Sequence, residues 1–241
     1  MLNQEIKELL TQFGFEKEMQ ELEGYCSGYS SRFIHKMYPM PENTKNMLGK
    51  NSMHYIQMAL CRSKLLTDGV VTALNARNGL LAMLSARAHL EVTGALAFFL
   101  KKLKNYYGGT ITFQILNEAL HRLILGTKTQ ELSQNAPQPV NVMTLIDAAD
   151  EYLSKTRNSN IKEFMENYNY LSEYCHPDFF GITMQSRINN AGITTYSFFL
   201  NLKEQDLTFI SSLLSSLSMF FLLYDSILGL LRENERLPEY E

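Results

Sequence analysis

At 241 residues, 45% hydrophobic and 20% charged, the chain has the composition of an ordinary folded protein, far from the disordered regime. Its formal net charge of −3 excludes a general nucleic-acid-coating protein, whose footprint would be basic, although a local basic groove is compatible with it. Three scattered cysteines (Cys26, Cys61, Cys175) without a Cys-x-x-Cys pair, and an N-terminus lacking a signal-type apolar run, lead us to expect reduced thiols and a cytoplasmic location.

Helical periodicity dominates from the start. Ile6, Leu9, Leu10 and Phe13 predict a first short helix ending near Gly14, and Met19, Leu22, Cys26, Tyr29, Phe33 and Met37 a second, closed by "YPMPENTKN". A third is expected over 51–76, and Asn78-Gly79 is a break or bend. A long fourth helix over 80–103 stops at "NYYGG", with Lys101, Lys102 and Lys104 complementing its dipole. A fifth covers 111–126, a polar loop with two prolines follows, and further helices are expected at 141–154 and 160–176. The Asn189-Asn190-Ala191-Gly192 turn between β-prone runs predicts a small hairpin insertion near 183–200. A long core helix over 203–233 closes the chain. The expected architecture is a single all-α domain, a helical bundle whose residues 1–45 form an N-terminal extension.

Leu207 to Tyr224 contains no charge over 18 residues, the lower limit for a membrane span. Its Ile210, Leu213, Leu214, Leu217, Phe220 and Phe221 stripe, with Ser211, Ser212, Ser215 and Ser216 read as lying off it, favours a core or dimer-interface helix and no membrane.

Two features invite chemistry. Within the apolar stretch "GLLAMLSARAHLEVTGALAFFL", Arg87 and Glu91 stand four residues apart on one face, which predicts an ion pair or a polar site cut into the bundle. In "NYNYLSEYCHPDFFG", Ser172 and His176 share a face with Tyr168 and Asn169 one turn earlier, and Pro177 sets His176 at the helix end. A histidinium there would satisfy terminal carbonyls and the negative end of the dipole. As a site, Arg87 would stabilise phosphate charge, Glu91 would orient it and His176 would act as acid or base, with Tyr168, Asn169 and Ser172 binding substrate. Glu118/His121 and Glu173/His176 also fit Glu-x-x-His, so with Glu91 and Asp225 a di-metal carboxylate bundle is a lesser alternative. No P-loop, dinucleotide fingerprint, His-Glu-x-x-His or nucleophile elbow occurs, and no cofactor is expected.

The combination of "ARAHLE", "IDAADEYL" and "YNYLSEYCHPDFFG" resembles a group of bacterial all-α proteins carrying an Arg-x-x-x-Glu helix and a Leu-Ser-x-x-x-His-Pro helix end, similar to the HEPN superfamily of helical bundles. The resemblance covers roughly residues 60 to 185. It implies an RNA- or nucleotide-acting toxin or anti-phage component that dimerises. HEPN ribonucleases place an arginine shortly before the histidine on one helix, whereas this chain has none between Arg157 and His176. The alternative is a non-catalytic helical module acting as a homodimer or by binding a partner protein.

Overall fold

The structure, a computed structural model, describes residues 1–40, 44–129, 135–177, 179–184, 186–197 and 207–241, with only the backbone of 44–46. The described residues form nine helices and one hairpin: α1 (Gln4–Gln12), α2 (Glu16–Gly28), α3 (Thr44–Asn75), α4 (Gly79–Tyr107), α5 (Phe113–Leu125), α6 (Val142–Arg157), α7 (Glu163–Cys175), α8 (Phe179–Thr183), β1 (Ser186–Ile188), β2 (Thr194–Tyr196) and α9 (Phe209–Asn234). This is the all-α bundle with a small hairpin that the sequence predicts.

Helix α4 is the axis of the bundle. It packs against α3, α5, α6, α7 and α9. Ala82, Ala86, His89, Thr93, Leu96 and Leu100, spaced by three and four residues, are all buried, so one stripe of α4 faces the centre. The chain reverses between α3 and α4 at Arg77, whose φ of 51° is left-handed, and Asn78 then caps α4 by accepting from the Leu81 amide at 3.0 Å. The two helices run back along each other, with Tyr55 edge-on to Phe99 at 5.2 Å.

Two boundaries differ most from expectation, the first being the start of α3, which begins at Thr44 instead of 51. Helix α2 stops at Gly28 instead of near Met37, because residues 35–38 leave the helix to pair with the C-terminal tail: the His35 amide donates to the Glu241 carbonyl at 2.8 Å, and Met37 bridges Tyr240. The α8 turn was not foreseen. Helix α9 begins at Phe209, and the expected start at 203 lies outside the described residues, as do positions 185 and 198–200 of the expected hairpin region.

The serines of α9 also divide differently. Ser212 and Ser216 are buried and Ser215 is partly so, each with a polar partner: Ser212 donates to Asn167 Oδ1 at 2.9 Å and Ser215 to Glu163 at 2.6 Å. A helix surrounded on most sides can bury serines only where neighbours complete their hydrogen bonds. Among the described residues α9 alone is long and apolar enough to cross a membrane, and 56% of its most apolar window is buried inside the bundle.

Candidate functional site

Helix α7 is fastened at both ends. At its start the buried Asp150 of α6, the second aspartate of "IDAADEYL", accepts from the Phe164 and Met165 amides at 2.8 and 3.1 Å. Burial raises the pKa of this carboxyl while the two N–H groups pull against it. Towards its end Arg87 of α4 takes hold. Arg87 Nε donates to Ser172 Oγ at 3.0 Å, Nη2 donates to the Tyr168 hydroxyl, and the guanidinium lies 4.7 Å from the centre of the Tyr168 ring. Glu91 stands 3.8 Å from Arg87 Nη2, an ion pair without a tight hydrogen bond; the two side chains are 24% and 35% exposed, so neither is fully desolvated.

Arg87, Glu91, Tyr168 and Ser172 therefore come together, whereas Asn169 and His176 do not join them. Asn169 follows Tyr168 by one residue, a rotation of about 100° on a helix, and points to solvent. His176 is exposed, and its imidazole makes no hydrogen bond or ion pair among the described residues. Its backbone terminates α7: with φ −88° and ψ 151°, as the following proline favours, its amide donates to the Ser172 carbonyl at 3.1 Å. The expected capping is thus performed by the main chain. Gly181 belongs to the same corner. A Cβ there would lie 1.9 Å from the His176 carbonyl oxygen, so only glycine lets α8 fold back onto the end of α7. An aromatic ladder of Tyr170, Tyr174, Phe180 and Phe179 holds the corner. Burial pushes the Cys175 thiol up, against the charge of Arg87 and with that of Glu91, the opposite of an activated nucleophile.

No group of three His, Cys, Asp or Glu gathers among the described residues, so the di-metal arrangement is not formed there. Asp225 is instead gripped by Arg32, with Nε and Nη2 donating to its two oxygens at 2.9 and 2.6 Å.

The sequence reading passed over two centres. One is a polar chain in the middle of the bundle. His89 is fully buried; its Nε2 is 2.7 Å from Ser63 Oγ and its Nδ1 2.8 Å from Ser216 Oγ. Ser63 meets the Tyr29 hydroxyl at 2.6 Å, Tyr29 meets Thr67 at 3.0 Å, and Thr93 meets Ser216 at 2.9 Å. Thr67 spends its proton on the Ser63 carbonyl, so Tyr29 donates to Thr67 and Ser63 to Tyr29. With Thr93 donating to Ser216 Oγ at 2.9 Å in preference to the Ser216 carbonyl at 3.3 Å, His89 Nε2–H donates to Ser63 and Ser216 donates to Nδ1, which gives every pair within 3.0 Å a proton. The imidazole is neutral, its pKa held down to about 3 by burial. His89 stands inside "ARAHLE" on the buried stripe, and that periodicity was the available signal.

The other centre is a cavity of about 410 Å³ bounded by α3, α4, α5 and the segment 139–140, with Tyr55, Arg62, Glu91 and Arg122 on its walls. Arg87 and His176 do not line it. Compared with protein-family models, curated proteins and solved structures, the chain matches none.

Proposed function

We propose that this chain is a non-catalytic helical module that pairs with a second copy of itself across the apolar face of α8 and the hairpin. The observation that carries this reading is the exposure of Phe179, Phe180, Ile182, Ile188, Ile193 and Tyr196 within eighteen residues, with Ile188 at 74% and Tyr196 at 82%. Large exposed apolar side chains concentrated in one short segment are the signature of an interaction surface. The hairpin adds strand edges that no other strand covers among the described residues, and such edges pair readily with a matching strand. A twofold contact of the same patch on both copies would close the assembly.

The commitment of Arg87 to Tyr168 and Ser172 supports the non-catalytic half of the proposal, since a guanidinium already holding two hydroxyls has less to offer a phosphate. The competing reading is the RNA- or nucleotide-acting role that the HEPN resemblance implies.

Light scattering over a range of concentrations should give a dimer for the wild type and a monomer of unchanged helicity for Ile188→Asp/Tyr196→Asp. A wild type that stays monomeric, or a variant that still dimerises, sinks the pairing. RNA cleavage by the purified protein that disappears in His176→Ala would sink the non-catalytic half.

A further inference from the structure

The cavity between α3, α4 and α5 holds polar groups that the bundle itself leaves unused. Tyr55 is 94% buried by the measure of its 6% residual exposure, yet its hydroxyl makes no hydrogen bond among the described residues, and burial alone accounts for the upward shift of its pKa. Tyr55 lines the cavity wall, and its hydroxyl oxygen keeps accessible surface where the rest of the side chain is buried. Arg62 is exposed at the mouth of the cavity and carries no ion pair or hydrogen bond among the described residues. Arg122 spends Nε on the Gln138 carbonyl at 3.0 Å and Nη2 on the Pro139 carbonyl at 3.1 Å, which leaves its Nη1 amino group free. Glu91 has only its loose contact with Arg87.

The walls between these groups are apolar, formed by Met58, Val92 and Ile124 among others, and the volume lies in the range of small-ligand sites. The cavity is also built: a Cβ on Gly126 would lie 2.3 Å from the Arg122 carbonyl oxygen and 2.6 Å from Pro139 Cα, so the close pass of these segments requires glycine. Two guanidiniums against one carboxylate make the cavity attractive to an anion. The carboxylate, which can only accept when ionised, asks for an N–H on the same ligand.

We propose that this cavity binds a small organic anion bearing an N–H donor. Its phosphate or carboxylate sits between Arg62 and Arg122, its N–H group meets Glu91, and the Tyr55 hydroxyl completes the polar set around an apolar body. The site goes beyond the pairing reading and does not rest on it.

Thermal melting and calorimetric titration of the full chain test this with three probes: adenosine 5′-monophosphate, free phenylalanine and inorganic phosphate. We expect one of the two organic probes to bind one-to-one and raise the melting temperature, the nucleotide if the anion is a phosphate and the amino acid if it is a carboxylate. Arg62→Ala should weaken that binding about tenfold or more, and Tyr55→Phe, which removes no internal hydrogen bond, should weaken it less without lowering the melting temperature of the free protein. The proposal is overturned if neither organic probe binds at millimolar concentration. It is equally overturned if inorganic phosphate reproduces the whole effect, or if both variants bind as the wild type does.

Discussion

The chain around His89 and the cluster around Arg87 lie within one helical turn of each other on α4, yet they are opposite solutions to putting polar groups inside a bundle. The His89 chain is uncharged, fully buried and closed, with every close pair supplied with a proton. The Arg87 cluster is charged, a quarter to a third exposed, and open at Glu91. The first can only hold the end of α2 to α3, α4 and α9, because every proton of the network is committed and its members are buried away from any ligand. The second holds α7 with one end of a guanidinium and leaves a carboxylate facing a cavity.

The largest effect should come from breaking the closed chain. His89→Ala opens a cavity and removes the partner of two buried hydroxyls, which together cost about 3–5 kcal/mol in urea unfolding. Acid sharpens the same point. The folded imidazole resists protonation down to about pH 3, while in the unfolded chain it takes a proton near pH 6.5. Between those values the unfolded state holds the extra proton, so this group's contribution is intact above about pH 6.5 and falls by about 1.4 kcal/mol per pH unit as pH drops towards 3. The stability gap between wild type and His89→Ala should therefore narrow on acidification. A gap independent of pH between 6.5 and 4 would show that His89 is not kept neutral by the fold.

Breaking the open cluster should cost less. Arg87→Ala removes two hydrogen bonds and the stacking on Tyr168, with an expected loss of about 1–3 kcal/mol. Arg87→Lys should recover less than half of it, because an ammonium cannot hold Ser172 and Tyr168 in one plane while lying against the ring. Full recovery by lysine would mean that charge, and not the planar fork, fastens α7.

The contrast also explains what was legible in the sequence. The bundle, the hairpin and most helix bounds follow from periodicity and turn residues, because burying one face of a helix leaves a pattern in the chain. The pairing of Arg87 with Tyr168 and Ser172 joins residues more than eighty positions apart, and only its members, as conspicuous polar groups on apolar faces, were readable beforehand. His89 was hidden by its surroundings: Arg87 and Glu91, the charges beside it, drew the functional reading, while its partners Ser63 and Ser216 lie on helices that sequence spacing does not connect. Tyr55, Arg62 and Arg122 have no common signal at all, since the cavity exists only once α3, α4 and α5 meet. The apolar spacing of Phe33 and Met37 continues the second helix past its true end, whereas residues 35–38 pair instead with the C-terminal tail, a partner no local pattern reveals.

The smallest effect is expected where the sequence looked most like chemistry. His176 ends α7 through its backbone amide, which any residue except proline supplies, and its extended backbone is set by Pro177. Its imidazole is exposed and makes no hydrogen bond or ion pair among the described residues. His176→Ala should therefore change unfolding stability by less than about 0.5 kcal/mol. Gly181, by contrast, is fixed by the His176 carbonyl, so the conspicuous "HPDFFG" run carries its information in the proline and the glycine, which build the corner, and not in the histidine. A loss of more than about 1 kcal/mol in His176→Ala, well beyond what an exposed side chain without partners contributes, would show that the imidazole, and not only its amide, secures the end of α7.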